Sequence, residues 1–225
     1  MTYGDTEPLV LENGFISDRR GKEPPTYEEA KELLPKPFID GREDFSECYD
    51  KAWQIAFSNL KVPSEESGFC SSFIDTAFNG FLFMWDSSFI VMFGKYGQRA
   101  FDFHATLDNF YARQHPDGFI CREISESENG DQFFRHDPSS TGPNILPWSE
   151  WLYYENTGDA ERIRKVFPPL LAYHRWLREH RTWRDGTYWT TGGDAEWTIR
   201  QDSRGESTPS SPTVTWCGST PALSR

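Results

Sequence analysis

The chain has 225 residues, with 23 Lys and Arg against 35 Asp and Glu, a formal net charge of −12. That length fits one or two domains with a real core, no apolar run approaches the roughly 18 residues of a membrane span, and an acidic balance without a basic block argues against nucleic-acid partners. Cys48, Cys70, Cys121 and Cys217 are spaced too widely and irregularly for a zinc site or a disulfide framework, and the start, Met1-Thr2-Tyr3-Gly4-Asp5, lacks a basic region followed by an apolar one, so a cytoplasmic location without membrane partners is expected.

Residues 1–40 form a polar lead-in where Pro24-Pro25, Pro35 and Pro37 frame one short helix. Thr26 is its expected N-cap, and Glu28-Glu29 suit the first turn through the helix dipole. Over residues 44–60, Phe45, Tyr49, Ala52, Trp53, Ala56, Phe57 and Leu60 recur at three- and four-residue spacing, predicting an amphipathic helix that Pro63 ends. Residues 68–84 are broken by Gly68, Asn79 and Gly80 and read as loop with brief strands. Helical spacing resumes around Phe89, Met92, Phe93 and Tyr96, and again over residues 100–111. A long loop, about 114–147, is rich in Pro and Gly yet carries Phe119, Ile120, Phe133 and Phe134, which predicts an ordered, functional segment. Residues 148–156 predict a helix closed by Thr157-Gly158. Asp159 then caps a long helix reaching about His180, which Pro168-Pro169 should kink or split. The sum is an all-α architecture of helical hairpins with at most minor short strands. Residues 193–225, rich in Ser, Thr, Pro, Gly and Arg, carry no apolar stripe and have the composition of a disordered tail.

Phe, Trp and Tyr supply 16% of the chain, and flat rings suit either a packed core or the C–H faces of sugars. Phe83-Met84-Trp85-Asp86-Ser87-Ser88-Phe89 sets a carboxylate among aromatics where a loop enters a helix. Asp86 is there either an N-cap or an acceptor for two sugar hydroxyls beside a stacking Trp85. Gln114 ends a helix before the Pro116-Asp117-Gly118 turn, and Asn144 stands at the mouth of the next helix. Each has a plain alternative, a helix stop or a turn residue. Together the three place hydrogen-bonding side chains at the same end of successive helices, as in a polyol pocket.

These motifs resemble the (α/α)6-toroid glycoside hydrolases of family 63, in the branch similar to mannosylglycerate hydrolase, with trehalases as distant relatives. The resemblance runs over about residues 34–192 and includes Ser67-Gly68-Phe69, Phe78-Asn79, Phe83-Met84-Trp85-Asp86, Gln114 with Asp117-Gly118-Phe119-Ile120, Gly142-Pro143-Asn144 and Arg181-Thr182-Trp183-Arg184-Asp185-Gly186-Thr187-Tyr188-Trp189. It implies that residues 41–192 are the N-terminal half of such a domain, and that Trp85 and Asp86 line the subsite of the sugar to be cleaved. It further implies that Gln114 and Asn144 contribute from neighbouring loops and that Trp189 borders the pocket. Arg122 is a weaker candidate that could equally pair with Glu126. The implied reaction is inverting hydrolysis of a small glycoside or oligosaccharide without metal or organic cofactor, by an acid and a base about 6.5–9.5 Å apart.

The departure from the family comes after Gly192. There the family reads Gly-Met-Asp-Asn-x-Pro-Arg, whose Asp is the general acid, and its base is a Glu from a much later helix. Here the chain continues Gly193-Asp194-Ala195-Glu196-Trp197. Back-translation of residues 194–202, read from the third base of each codon, is compatible with Cys-Gly-Met-Asp-Asn-Thr-Pro-Arg, and the Asp triplet is forced. A frameshift near Gly193 is therefore one expectation, leaving part of the sugar subsite without acid or base. The competing expectation is a divergent end in which Asp194 or Glu196 serves as acid. A non-catalytic carbohydrate-binding or protein-interaction module is the alternative function.

Overall fold

The first helix among the described residues, α1 (Tyr27–Ala30), starts at a reciprocal cap: the Thr26 hydroxyl accepts from the Glu29 N–H while the Glu29 carboxylate accepts from the Thr26 N–H. The computed structural model describes residues 12–76, 79–126 and 130–190. About 48% of these are helical, in six α-helices with two small sheets. Short strands are thus part of a mainly helical architecture.

Helix α2 (Glu43–Ser58) buries Trp53, Ala56 and Phe57 on one face, as its spacing predicts. It ends before Pro63, because Leu60 and Lys61 leave the helix to form β1 (Leu60–Lys61) against β2 (Phe73–Ile74), with Leu60 opposite Ile74. Strand β3 (Phe81–Phe83) runs without a break into α3 (Met84–Gly94). The stretch expected to be helical over 100–111 is a 3-10 turn, Phe103–Leu107, followed by the short α4 (Asp108–Ala112).

The segment expected as a long loop holds two strands, β4 (Glu123–Ser125) and β5 (Gly130–Asp131), and β3-β4-β5 form an antiparallel sheet. Leu82 and Ile124, paired in register and fully buried, are its core-facing residues. Helix α5 (Leu146–Thr157) stops at Gly158, whose φ of 71° is left-handed backbone that glycine adopts without strain. Asp159 then caps α6 (Ala160–His180), its carboxylate accepting from the Arg162 N–H at 3.0 Å. Of the kink or split expected at Pro168-Pro169, the split does not occur: α6 is continuous through both.

The main core packs Phe69, Phe73, Leu82, Phe110, Tyr173 and Trp176, and a second cluster gathers Ala30, Leu34, Trp53, Phe57, Ile74 and Phe103. Phe15, upstream of every described helix, is fully buried in the main core. At the Pro-Asp-Gly turn, Gly118 sits at φ 95°, and a Cβ there would meet the Ala172 carbonyl oxygen at 2.6 Å; the turn lies flat on α6 for that reason. Among the described residues no helix is long and apolar enough to cross a membrane. The proposed tail, residues 193–225, lies outside the described residues.

Candidate functional site

The start of α3 is held by the sheet rather than by a capping side chain. Phe83 occupies the N-cap position with no side-chain cap, and the Met84 N–H donates to the Arg122 carbonyl at 2.8 Å. Asp86 is therefore the third residue of the helix and not its N-cap. It is exposed, and among the described residues it has no hydrogen-bond or ion-pair partner. The N–H groups of a first helical turn favour a carboxylate there. Trp85 is half-buried, packs on the main core and meets Phe89 edge-on, ring centroids 4.9 Å apart.

Helix α5 lies beside α3 at this end. Ser149 Oγ donates to the Ser88 carbonyl at 3.3 Å, and the Phe89 and Trp148 rings are 5.8 Å apart. Asn144, half-buried just before α5, presents a buried Oδ1 that has no hydrogen-bond partner among the described residues. Such an acceptor lacks about 1–3 kcal/mol of compensation until a donor reaches it.

Arg122 ties these elements to the end of α6. Its N–H donates to the Ser140 carbonyl at 3.0 Å and its Nε to the Ser139 carbonyl at 2.6 Å, with the guanidinium over the Phe133 ring. Glu126 takes another partner, the Ser64 N–H at 2.7 Å. The buried Arg181 continues the connection, donating to Ser140 Oγ, Thr141 Oγ1 and the Asp137 carbonyl at 2.8–3.1 Å. Its own carbonyl accepts from the Trp189 N–H at 2.9 Å, and its guanidinium stands 5.0 Å from the Trp189 ring centre. Trp85, Asp86, Arg122, Asn144 and Trp189 thus sit on segments joined by one continuous set of contacts.

Gln114 does not join them. It is 6% exposed, its Nε2 donates to the carbonyls of Gly118 and Pro169, and its Oε1 accepts from Asn13. The expectation that it reaches a ligand from a neighbouring loop is corrected: its polar atoms hold the turn after α4 onto α6.

Two further roles in the site emerge from the fold. Arg181 is its organiser. Glu123, opposite Phe83 in the sheet, is half-buried, and burial pushes its carboxyl up against the opposing pull of Arg122. Neither carries a local signal, since each acquires its place from pairing across at least forty residues. Among the described residues no three His, Cys, Asp or Glu side chains are grouped to hold a metal ion. Asp194 and Glu196, the fallback acids, lie outside the described residues.

The family model of the mannosylglycerate hydrolase MGH1-like glycoside hydrolase domain matches residues 81–200. The chain belongs to this glycoside hydrolase family. The matched range opens at the first residue of β3 and takes in every one of the site residues named above. An uncharacterized protein of Borreliella burgdorferi is 28% identical over 104 residues, 45% of this chain and 21% of that relative. The matched part of the chain thus spans about a fifth of the length of this curated relative. No solved structure matches.

Proposed function

We propose that the chain derives from an inverting glycoside hydrolase for a small glycoside or oligosaccharide and retains part of its sugar subsite. The partner is then a neutral or singly charged sugar ligand, without metal or organic cofactor. Trp85 stacks on the pyranose face, Asp86 accepts two hydroxyls, and Asn144, Arg122 and Trp189 close the sides. The observation that carries this reading is the buried Oδ1 of Asn144, among the described residues an acceptor without a donor, on a segment that Arg122 links to the start of the helix carrying the exposed Asp86. A sugar hydroxyl supplies that donor. Family membership gives the reaction class, and the (α/α)6 ring is the architecture in which these helices would be completed.

Hydrolysis with inversion needs an acid on the leaving oxygen and a base on water at the opposite face. Neither carboxylate is among the described site residues assigned here, so binding without turnover is the expected behaviour of the chain alone. Incubation with aryl α-glycosides and with glucosyl- or mannosylglycerate tests this. Sugar binding lost in Asp86→Ala and weakened in Asn144→Ala, with no product released, is the expected result. Turnover that disappears in Asp194→Asn or Glu196→Gln overturns the loss of the acid and restores a complete enzyme. Binding indifferent to Asp86 removes the subsite.

A further inference from the structure

The Phe133 ring beneath the Arg122 guanidinium also lines a cleft of about 530 Å³, whose walls include His115, Asp131, Gln132, Phe134 and Arg135. Most of its charged groups are engaged. His115 Nε2 and Asp131 Oδ2 are 2.5 Å apart, and Arg135 pairs with Asp117 at 3.1 Å. The other oxygen of the same carboxylate, Asp131 Oδ1, is buried and has no hydrogen-bond partner among the described residues. The Arg113 guanidinium stands 3.9 Å from it, too far for a hydrogen bond, and Arg113 Nε is likewise buried without one. Among the described residues, Asp131 Oδ1 is thus an unsatisfied buried acceptor on a residue that lines the cleft, and the neighbouring Arg113 carries an unsatisfied buried donor. At its rim Phe134 is 88% exposed, an apolar ring from which folding gains almost nothing.

We propose that this cleft binds a neutral polyhydroxylated ligand of the saccharide class. A hydroxyl both donates and accepts, so one such group donates to Asp131 Oδ1 while its oxygen accepts from the Gln132 amide or a guanidinium. Phe134 and Phe133 cover the C–H face of the ring, as aromatic side chains do for amphipathic ligands. An anion is disfavoured because it would sit beside the Asp131 carboxylate while Arg135 is already paired. A bound metal ion is disfavoured because the described residues hold no suitable ligand cluster.

The choice of saccharides as probes rests on the glycosidase reading; the need for a hydroxyl donor at Asp131 does not. The experiment is a titration of the full chain with α,α-trehalose, maltose and glucosylglycerol, following the His115 imidazole resonances by NMR, with inorganic phosphate as the anionic control. A saturable shift of His115 by a saccharide in the millimolar range is expected. Phe134→Ala, whose exposed side chain leaves the fold intact, should raise the Kd at least about tenfold, as should Asp131→Ala. Asp86→Ala should leave the His115 response as it is, so that failure of the Asp86 subsite and failure of this cleft are read separately. A His115 resonance that no saccharide moves, or that phosphate moves instead, overturns the proposal. So does a response that Phe134→Ala leaves untouched.

Discussion

Gln114 Nε2 donates to the Pro169 carbonyl at 2.8 Å, fastening the turn after α4 to the middle of α6 across 55 residues. The same amide reaches the Gly118 carbonyl at 3.0 Å and takes a bond from Asn13 at 2.9 Å, so three chain segments meet on one side chain. Replacement by Leu keeps the volume and leaves two buried carbonyls without these donors. Gln114→Leu should cost about 2–3 kcal/mol in urea unfolding while the folded fraction binds sugar as before. Loss of sugar binding at unchanged stability would return Gln114 to the ligand site.

A buried charge network deserves the largest single effect. Arg162 donates to Glu150 at 2.7 and 2.8 Å and pairs with Asp108 at 2.9 Å; Asp108 also meets Arg20 at 2.5 Å. Tyr111 and His104 complete the bonding of Glu150. Arg162→Met leaves two buried carboxylates short of a counter-charge, and a loss of about 3–5 kcal/mol is expected by thermal or denaturant unfolding. Lys at this position should rescue little, since one ammonium cannot reproduce a guanidinium fork that spans both acids.

The same network sets an acid limit. Burial alone would raise the Glu150 carboxyl, but Arg162 and His104 overcome it and bring it down to about 2 from 4.5. The folded state then holds fewer protons than the unfolded chain between those values, so stability present above pH 4.5 is lost as pH falls toward 2. Glu150→Gln should flatten that part of the stability–pH curve, and an unchanged slope in the variant would assign the acid loss elsewhere.

Thiol chemistry separates the described cysteines. Cys48 is exposed, whereas burial pushes the Cys70 and Cys121 thiols up to about 11. At pH 8 a thiol reagent should modify Cys48 in the native protein and spare Cys70 and Cys121 until unfolding, as peptide mapping by mass spectrometry would show. Rapid labelling of Cys70 would mean that the contact between residues 12–20 and the core opens readily.

Exposed rings bear on how the chain behaves alone. Phe89, Phe93 and Tyr96 along α3 and its following turn, with Trp148 and Trp151 on α5, are all more than two-fifths exposed. In the ring architecture proposed above, further helices would cover such faces. Low solubility, dye binding and a broad calorimetric transition are expected of the isolated chain. A sharp, reversible transition would show that these faces need no cover.

Local chemistry made the helix ends legible. Thr26, Gly158 and Asp159 act where their side chains or backbone freedom place them, because a cap needs only its own turn. The sheet was not legible: β4 and β5 have three and two residues, too few for a period, and Leu82 meets Ile124 by pairing over a distance no window covers. The continuity of α6 through its prolines was not legible for a related reason, since packing of Pro169, Ala172, Tyr173 and Trp176 into the core offsets the hydrogen bonds that the rings delete. In the site, Trp85 and Asp86 were visible as a motif. Gln114 was misjudged because its partners, Asn13 and Pro169, lie far away in both directions along the chain.

Phe15 and its neighbours also impose an order in time. Asn13 bonds Tyr111 and Gln114, Arg20 pairs with Asp108, and Lys165 reaches both Asp18 and the Phe15 ring. Synthesis runs from the N-terminal side, so this segment is made before its partners, the last of which follows some 147 residues later. This piece of the core must therefore wait, unpaired, while the residues up to Lys165 are made, and its docking is completed only once α6 exists.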